Sequence, residues 1–187
     1  MARPLSEEKR KALLSAALEV ISAQGLSAPT ALIARLAGVG TGTLFVYFPT
    51  KEHLFNALYL SIKEDVRQAV SIASAGSVEH ELRAFWGSYI DWGMQFPQKY
   101  RVARYLNASD KLRDETREAS WAIFSDFSHL VNEGLEKKIL RPQPEEFIGQ
   151  LVDATANMVI EHCQLHAGEL DAWRMLGWQA FWHAVRA

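Results

Sequence analysis

The sequence predicts an all-α fold, and three observations carry the prediction. Apolar residues recur at three- and four-residue spacing along most of the 187 residues, no stretch sustains an apolar–polar alternation, and neither a hairpin dipeptide nor an internal repeat interrupts the pattern. With 49% hydrophobic residues, a chain of this length can bury one sizeable core or two fused helical ones.

The elements follow in order. Ser6, with Glu7 and Glu8 behind it, supplies an N-cap and first-turn carboxylates; Leu14, Ala17, Leu18 and Ile21 then recur at helical spacing until Gly25 stops the first helix. A short second helix is capped by Ser27 or by Thr30, confines Pro29 to its first turn, and runs through Leu32, Ile33 and Leu36 to Gly38. A third fits between Gly40 and Pro49, and Thr50 caps a fourth. In the fourth, Leu54, Leu58, Ile62 and Val66 form an i, i+4 stripe that continues to about Ala73. The small, polar Ser74 to Ser77, with Gly76, makes the expected junction. Leu82, Phe85, Trp86, Tyr89 and Ile90 define the next helix, which ends before Pro97; a shorter one with Tyr100 and Leu106 ends at Asn107 to Ser109. One long helix from about Asp110 carries Trp121, Phe124, Val131 and Leu135 and ends before Pro142 and Pro144. Two more, about Glu145 to Ala167 and Glu169 to Arg186, complete about nine.

Composition narrows the function. The single cysteine, Cys163, excludes an intramolecular disulfide and a cysteine-rich zinc site and suits a reducing compartment. Residues 1–11 are polar and charged, and no run approaches the roughly 18 uninterrupted apolar residues of a membrane span. A soluble cytoplasmic protein without membrane association is expected. The net charge is −2, but up to Asn56 six Lys or Arg oppose four Glu, so the basic surplus lies at the N-terminal end of an acidic body.

The stretch from Leu32 to Phe55 is the most informative. Gly38 allows a sharp turn between two short helices, while Ala34 and Ala37 let them approach closely. Val39, Leu44 and Phe48 form the inner face of the third helix. Its outward residues, Thr41, Thr43, Phe45, Val46 and Tyr47, are short or flat, so its backbone can enter a DNA major groove. Phe45 serves equally well as a core residue. Threonine offers a hydroxyl and a methyl group, Tyr47 a hydroxyl on a rigid arm; Thr30 and Lys51, each in the first turn of a helix, can reach flanking phosphates.

In register, Ile33-Ala34, Ala37-Gly38-Val39, Gly42-Thr43-Leu44-Phe45, Tyr47-Phe48 and Lys51-Glu52-His53-Leu54 resemble the helix-turn-helix signature of the TetR family, and Ala16 to Ile21 with Gly25 extend the likeness upstream. The resemblance implies a ligand-responsive repressor that is not an enzyme. It also implies a DNA-binding domain at residues 1–55, joined by the fourth helix (about 50–73) to a helical ligand-sensing and dimerisation domain at residues 74–187. Thr30 and Lys51 would position the DNA backbone, and Thr41, Thr43 and Tyr47 would meet the groove of a palindromic operator, with Phe45 beside them as either a DNA contact or a core residue. The loop after Gly25 is one residue shorter than the family commonly has. Gly40 stands where Ser is frequent, Phe45 where Tyr is frequent, and Val46 where a polar residue is frequent, so direct hydrogen-bond readout is sparse.

The body offers two further expectations. Trp86, Tyr89, Trp92, Tyr105, Trp121 and Phe124, with Phe127, are abundant enough to line an apolar pocket for an unidentified effector, although aromatic residues at helical spacing also make ordinary core. The final helix spreads its apolar residues around most of its circumference, so it is either buried within one subunit or shared with a second copy. In the second case Met158, Met175, Trp178 and Trp182 form a homodimer interface. His162 and His166 share one helix face beside Cys163 but lack further ligands at matching spacing, so no metal and no cofactor are expected. The rival functions are a helical-bundle enzyme, for which no nucleophile motif or phosphate-cradling loop is present, and a protein-interaction module.

Overall fold

The structure, a computed structural model, describes residues 5–70 and 76–187; among these it holds ten α-helices and no strand. They are α1 (Glu7–Gln24), α2 (Thr30–Leu36), α3 (Thr41–Tyr47), α4 (Lys51–Ala69), α5 (Val78–Gln95), α6 (Pro97–Asn107), α7 (Asp114–Ala122), α8 (Ser125–Glu136), α9 (Glu145–Leu165) and α10 (Leu170–Val185). The expected end of the fourth helix near Ala73 and the first half of the expected junction, Ser74 and Ala75, lie outside the described residues.

Local chemistry explains several boundaries. The hydroxyls of Ser6, Thr50 and Ser77 accept the amide hydrogens of Lys9, His53 and His80, one orphan donor each at the starts of α1, α4 and α5. Gly25 ends α1 at φ 71°. Neither residue expected to cap α2 does so. Ser27 lies in a 3-10 turn with its hydroxyl committed to the Gln24 carbonyl, Thr30 is already helical, and Pro29 occupies the cap without a side-chain hydrogen bond.

The single long helix expected from Asp110 is two. Phe124 leaves helical geometry at φ −103°, ψ 36°, while its amide donates to the Trp121 carbonyl at 2.9 Å. The break lets Phe124 meet Phe85 edge-on at 6.2 Å while Phe127 lies against the same ring at 4.8 Å. Periodicity alone does not reveal such a turn, because both halves keep the same spacing of apolar residues.

The chain forms two compact units. The first contains the described residues up to Glu64 together with Gln98–Ser120; the second contains those from Asp65 to Pro97 together with Trp121–Ala187. In the first, α2 packs on α1 and α3, around the fully buried Leu13, Ala17, Ile21, Ile33, Leu44 and Leu54. In the second, α9 packs against α5, α8 and α10 over Ile148, Val152, Val159 and Ile160. Trp86 of α5 fills the centre, its indole N–H donating to Thr155 Oγ1 at 3.0 Å and its ring meeting Trp178 at 6.0 Å. The segment after α8 is tied to the last residues of the chain by Arg141 N–H to the Val185 carbonyl and Ala187 N–H to the Ile139 carbonyl, at 2.8 and 2.9 Å.

Candidate nucleic-acid interface

The candidate interface lies on α2 and α3, whose axes meet at 96°. Gly38 makes that turn. At φ 69° its backbone sits where side chains are disfavoured, and the Val39 amide reaches back to the Ala34 carbonyl at 3.0 Å, closing the end of α2. A Cβ at Gly38 would meet nothing within 4 Å. Gly38→Ala therefore isolates the conformational cost, and thermal unfolding should show a loss of about 1–2 kcal/mol; stability equal to wild type would contradict this account of the turn.

On α3, Leu44 and Phe48 point inward, fully buried and 3% exposed, whereas Val39 is half-buried. Thr41 and Val46 face solvent, and Phe45, left open between core and surface by the sequence, is 40% exposed. Thr43 and Tyr47 are half-buried. The Tyr47 hydroxyl accepts the Ser6 amide hydrogen at 2.9 Å, so the start of α1 is pinned to the end of α3. Thr30 opens α2 and Lys51 opens α4, both half-buried. Burial of the Lys51 ammonium, 5.4 Å from the Phe55 ring, lowers its pKa from the usual lysine value, while the neighbouring Glu52 charge opposes the shift. The six residues singled out for DNA thus fall on the first turn of α2, on α3 and on the first turn of α4.

Sequence reasoning missed one residue here. Asn56, 7% exposed on α4, donates through Nδ2 to the carbonyls of Glu52 and Lys111 at 2.6 and 2.9 Å and accepts the Arg113 amide hydrogen at 3.0 Å. Tyr59 adds a hydroxyl bond to Asn107 at 3.3 Å. A buried amide so placed fixes the segment between α6 and α7 to the helix that follows the turn. The available signal was an amide flanked by Phe55 and Leu58 on an otherwise apolar stripe.

The aromatic set proposed for a pocket does not converge. Trp86 and Trp92 are core, 1% and 2% exposed, and the Trp92 indole N–H is spent on Asp65 at 2.9 Å, with Tyr89 stacked on its ring. Trp121 packs on Gly149, Phe124 on Phe85, and Tyr105 belongs to the other unit. A cavity of about 390 Å³ in the second unit is lined by Trp86 from that set, with Arg83, Asp91, Asp171, Arg174, Met175 and Trp178. Of the residues considered for a dimer interface, Met158 and Met175 are 46% and 51% exposed and Trp182 is half-buried; Trp178 is 5% exposed and lies inward against Trp86 and Phe181.

His162 donates to Glu169 at 2.8 Å and stacks on Trp173 at 3.6 Å, and Trp173 donates to the same carboxylate. Those two hydrogen bonds hold Glu169 below the usual carboxylate range. Among the described residues no group of three or more His, Cys, Asp or Glu side chains could hold a metal, and no single helix is long and apolar enough to cross a membrane.

A sharp turn between two short helices, the second free of charged residues, is a helix-turn-helix arrangement of the kind that reads DNA. The comparisons agree. Residues 13–58 match the family described as bacterial regulatory proteins, tetR family. The regulator BetI of Escherichia coli is 38% identical over 88 residues, 44% of this chain, and the chain spans less than half, 45%, of its length. A putative tetR family transcription regulator from Shewanella sp. PV-4 superposes with a TM-score of 0.89 at 27% identity, covering 96% of this chain and 98% of that one. FadR from Bacillus subtilis, solved in complex with stearoyl-CoA, shares the fold at a TM-score of 0.72 and 17% identity, over 92% of this chain and 97% of that one. Over residues 13–58 the chain is similar to the tetR family, and over 96% of its length it shares the fold of a putative member of that family.

Proposed function

We propose that the chain is a sequence-specific DNA-binding regulator, a repressor that acts as a homodimer on a palindromic operator and releases it when a small molecule binds the body. The observation that carries this reading is the solvent-facing side of α3, with Thr41, Phe45 and Val46 presented beyond a buried Leu44 on a helix that crosses its predecessor at 96°. Residues 1–55 are assigned to DNA reading and residues 74–187 to sensing and dimerisation. The exposed Phe147, Met158, Met175 and Leu176 on α9 and α10 support a second copy as the partner of that surface.

The cavity between α5 and α10, with the apolar Trp86, Met175 and Trp178 beside Arg83 and the Arg174–Asp91 ion pair, supports an effector that has both an apolar and a polar part. An effector works by preferring a dimer whose two reading heads no longer match groove sites about 34 Å apart.

Selection of random duplexes with purified protein at a fixed salt concentration tests the reading. Enrichment of one palindrome is expected, and a Thr41→Ala, Thr43→Ala variant, which spares the Tyr47 bond to Ser6, should lose it by at least about tenfold, as two hydroxyl contacts worth about 1 kcal/mol each are removed. A folded wild-type protein that enriches nothing would contradict the assignment.

A further inference from the structure

We propose that the α3 face reads thymine through its 5-methyl groups, with Phe45 and Val46 as the readers and Gly42 as the position that lets them approach. The proposal rests on the DNA-binding reading and names its specificity chemistry.

Three observations lead to it. First, α3 contains no Arg, Lys, Asn, Gln, Asp or Glu, so it cannot form the paired hydrogen bonds that single out guanine, adenine or cytosine in the major groove. Its polar atoms are the hydroxyls of Thr41, Thr43 and Tyr47, and the last already accepts the Ser6 amide hydrogen. Second, Val46 is 63% and Phe45 40% exposed, an apolar edge continuous with the two threonines on the same short helix. The apolar feature of the major groove is the thymine methyl.

Third, Gly42 is unexplained by the chain itself. It lies within a helix, its φ is not in the left-handed region, and a Cβ there would meet nothing within 4 Å. Glycine is a poor helix former, so the protein alone would be served better by alanine. Gly42 lies one turn before Phe45 and Val46, on the surface that helical side chains at those positions lean towards. An empty position there lets a flat surface come close to both apolar side chains.

The test uses the duplex selected by the wild-type protein. Thymines under α3 are replaced by uracil, which removes the methyl group and keeps every hydrogen-bonding atom of the base. Wild-type affinity should fall about fourfold for each methyl removed, or about fifteenfold for a symmetric pair. In Val46→Ala or Phe45→Ala the penalty at the matching base should shrink towards one, while circular dichroism reports an unchanged fold. Gly42→Ala should melt no lower than wild type yet bind the site at least tenfold more weakly.

Equal affinity for thymine and uracil duplexes would overturn the proposal in favour of readout by DNA shape, as would a uracil penalty that persists undiminished in both variants. Wild-type binding by Gly42→Ala would overturn the role of that glycine. Failure of the DNA-binding reading is distinguishable, because it appears earlier, as the absence of any selected site.

Discussion

Asn56→Ala should lower the melting temperature by roughly 6–12 °C, as expected for a loss of about 3 kcal/mol in a chain of this size. The substitution removes three hydrogen bonds, one each to Glu52, Lys111 and Arg113, at a position 7% exposed. A smaller side chain leaves the Lys111 carbonyl and the Arg113 amide facing a void, and unsatisfied buried groups of this kind cost about 1–3 kcal/mol each. Asn56→Asp distinguishes hydrogen bonding from packing. Aspartate keeps the acceptor for Arg113 but, when ionised, directs a charge at two carbonyls and lacks the donor. Burial raises its folded-state pKa, so its stability should be greatest at acid pH and fall as pH rises through that pKa. Thermal unfolding across pH checks both variants, and an Asn56→Asp protein insensitive to pH would refute the account.

Gly177→Val should cost about 3 kcal/mol for the opposite reason, overpacking. A Cβ at Gly177 of α10 would stand 2.6 Å from Val159 Cγ2 and 3.0 Å from the Trp86 ring. Neither neighbour can retreat: Val159 is fully buried and Trp86 is 1% exposed, held further by its bond to Thr155. Gly177→Ala is the sharper control. In an unobstructed helix interior it would gain up to about 1 kcal/mol from propensity, so a measured loss in urea titration reports the close approach of α10 to α9 and α5. A gain would show that the helices stand further apart than described.

These two sites mark what the sequence conceals. Features governed by neighbours in the chain were legible: Ser6 and Thr50 as caps, Gly25 and Gly38 as stops, and Leu44 and Phe48 as the inward side of a seven-residue helix. Features governed by partners distant in sequence were not. Asn56 meets Lys111 and Arg113 more than fifty residues away. Trp178, one of several aromatic residues around α10, points inward because Gly177 allows α10 to approach Trp86 and Val159. The burial of the body's aromatic residues was hidden for the same reason: Trp86 and Trp92 each bury an indole against a specific hydrogen-bond acceptor, Thr155 and Asp65, which periodicity cannot identify. The break at Phe124 was hidden because each half of the expected helix is periodic in its own right.

The measurement that bears most directly on the central claim is a footprint of the wild-type protein on its selected duplex. The account predicts two protected major-groove segments on one face of the DNA, about one helical turn or a small number of turns apart, with protection weakened as salt rises. Protection without sequence preference, or none at all from protein that is folded, would contradict it.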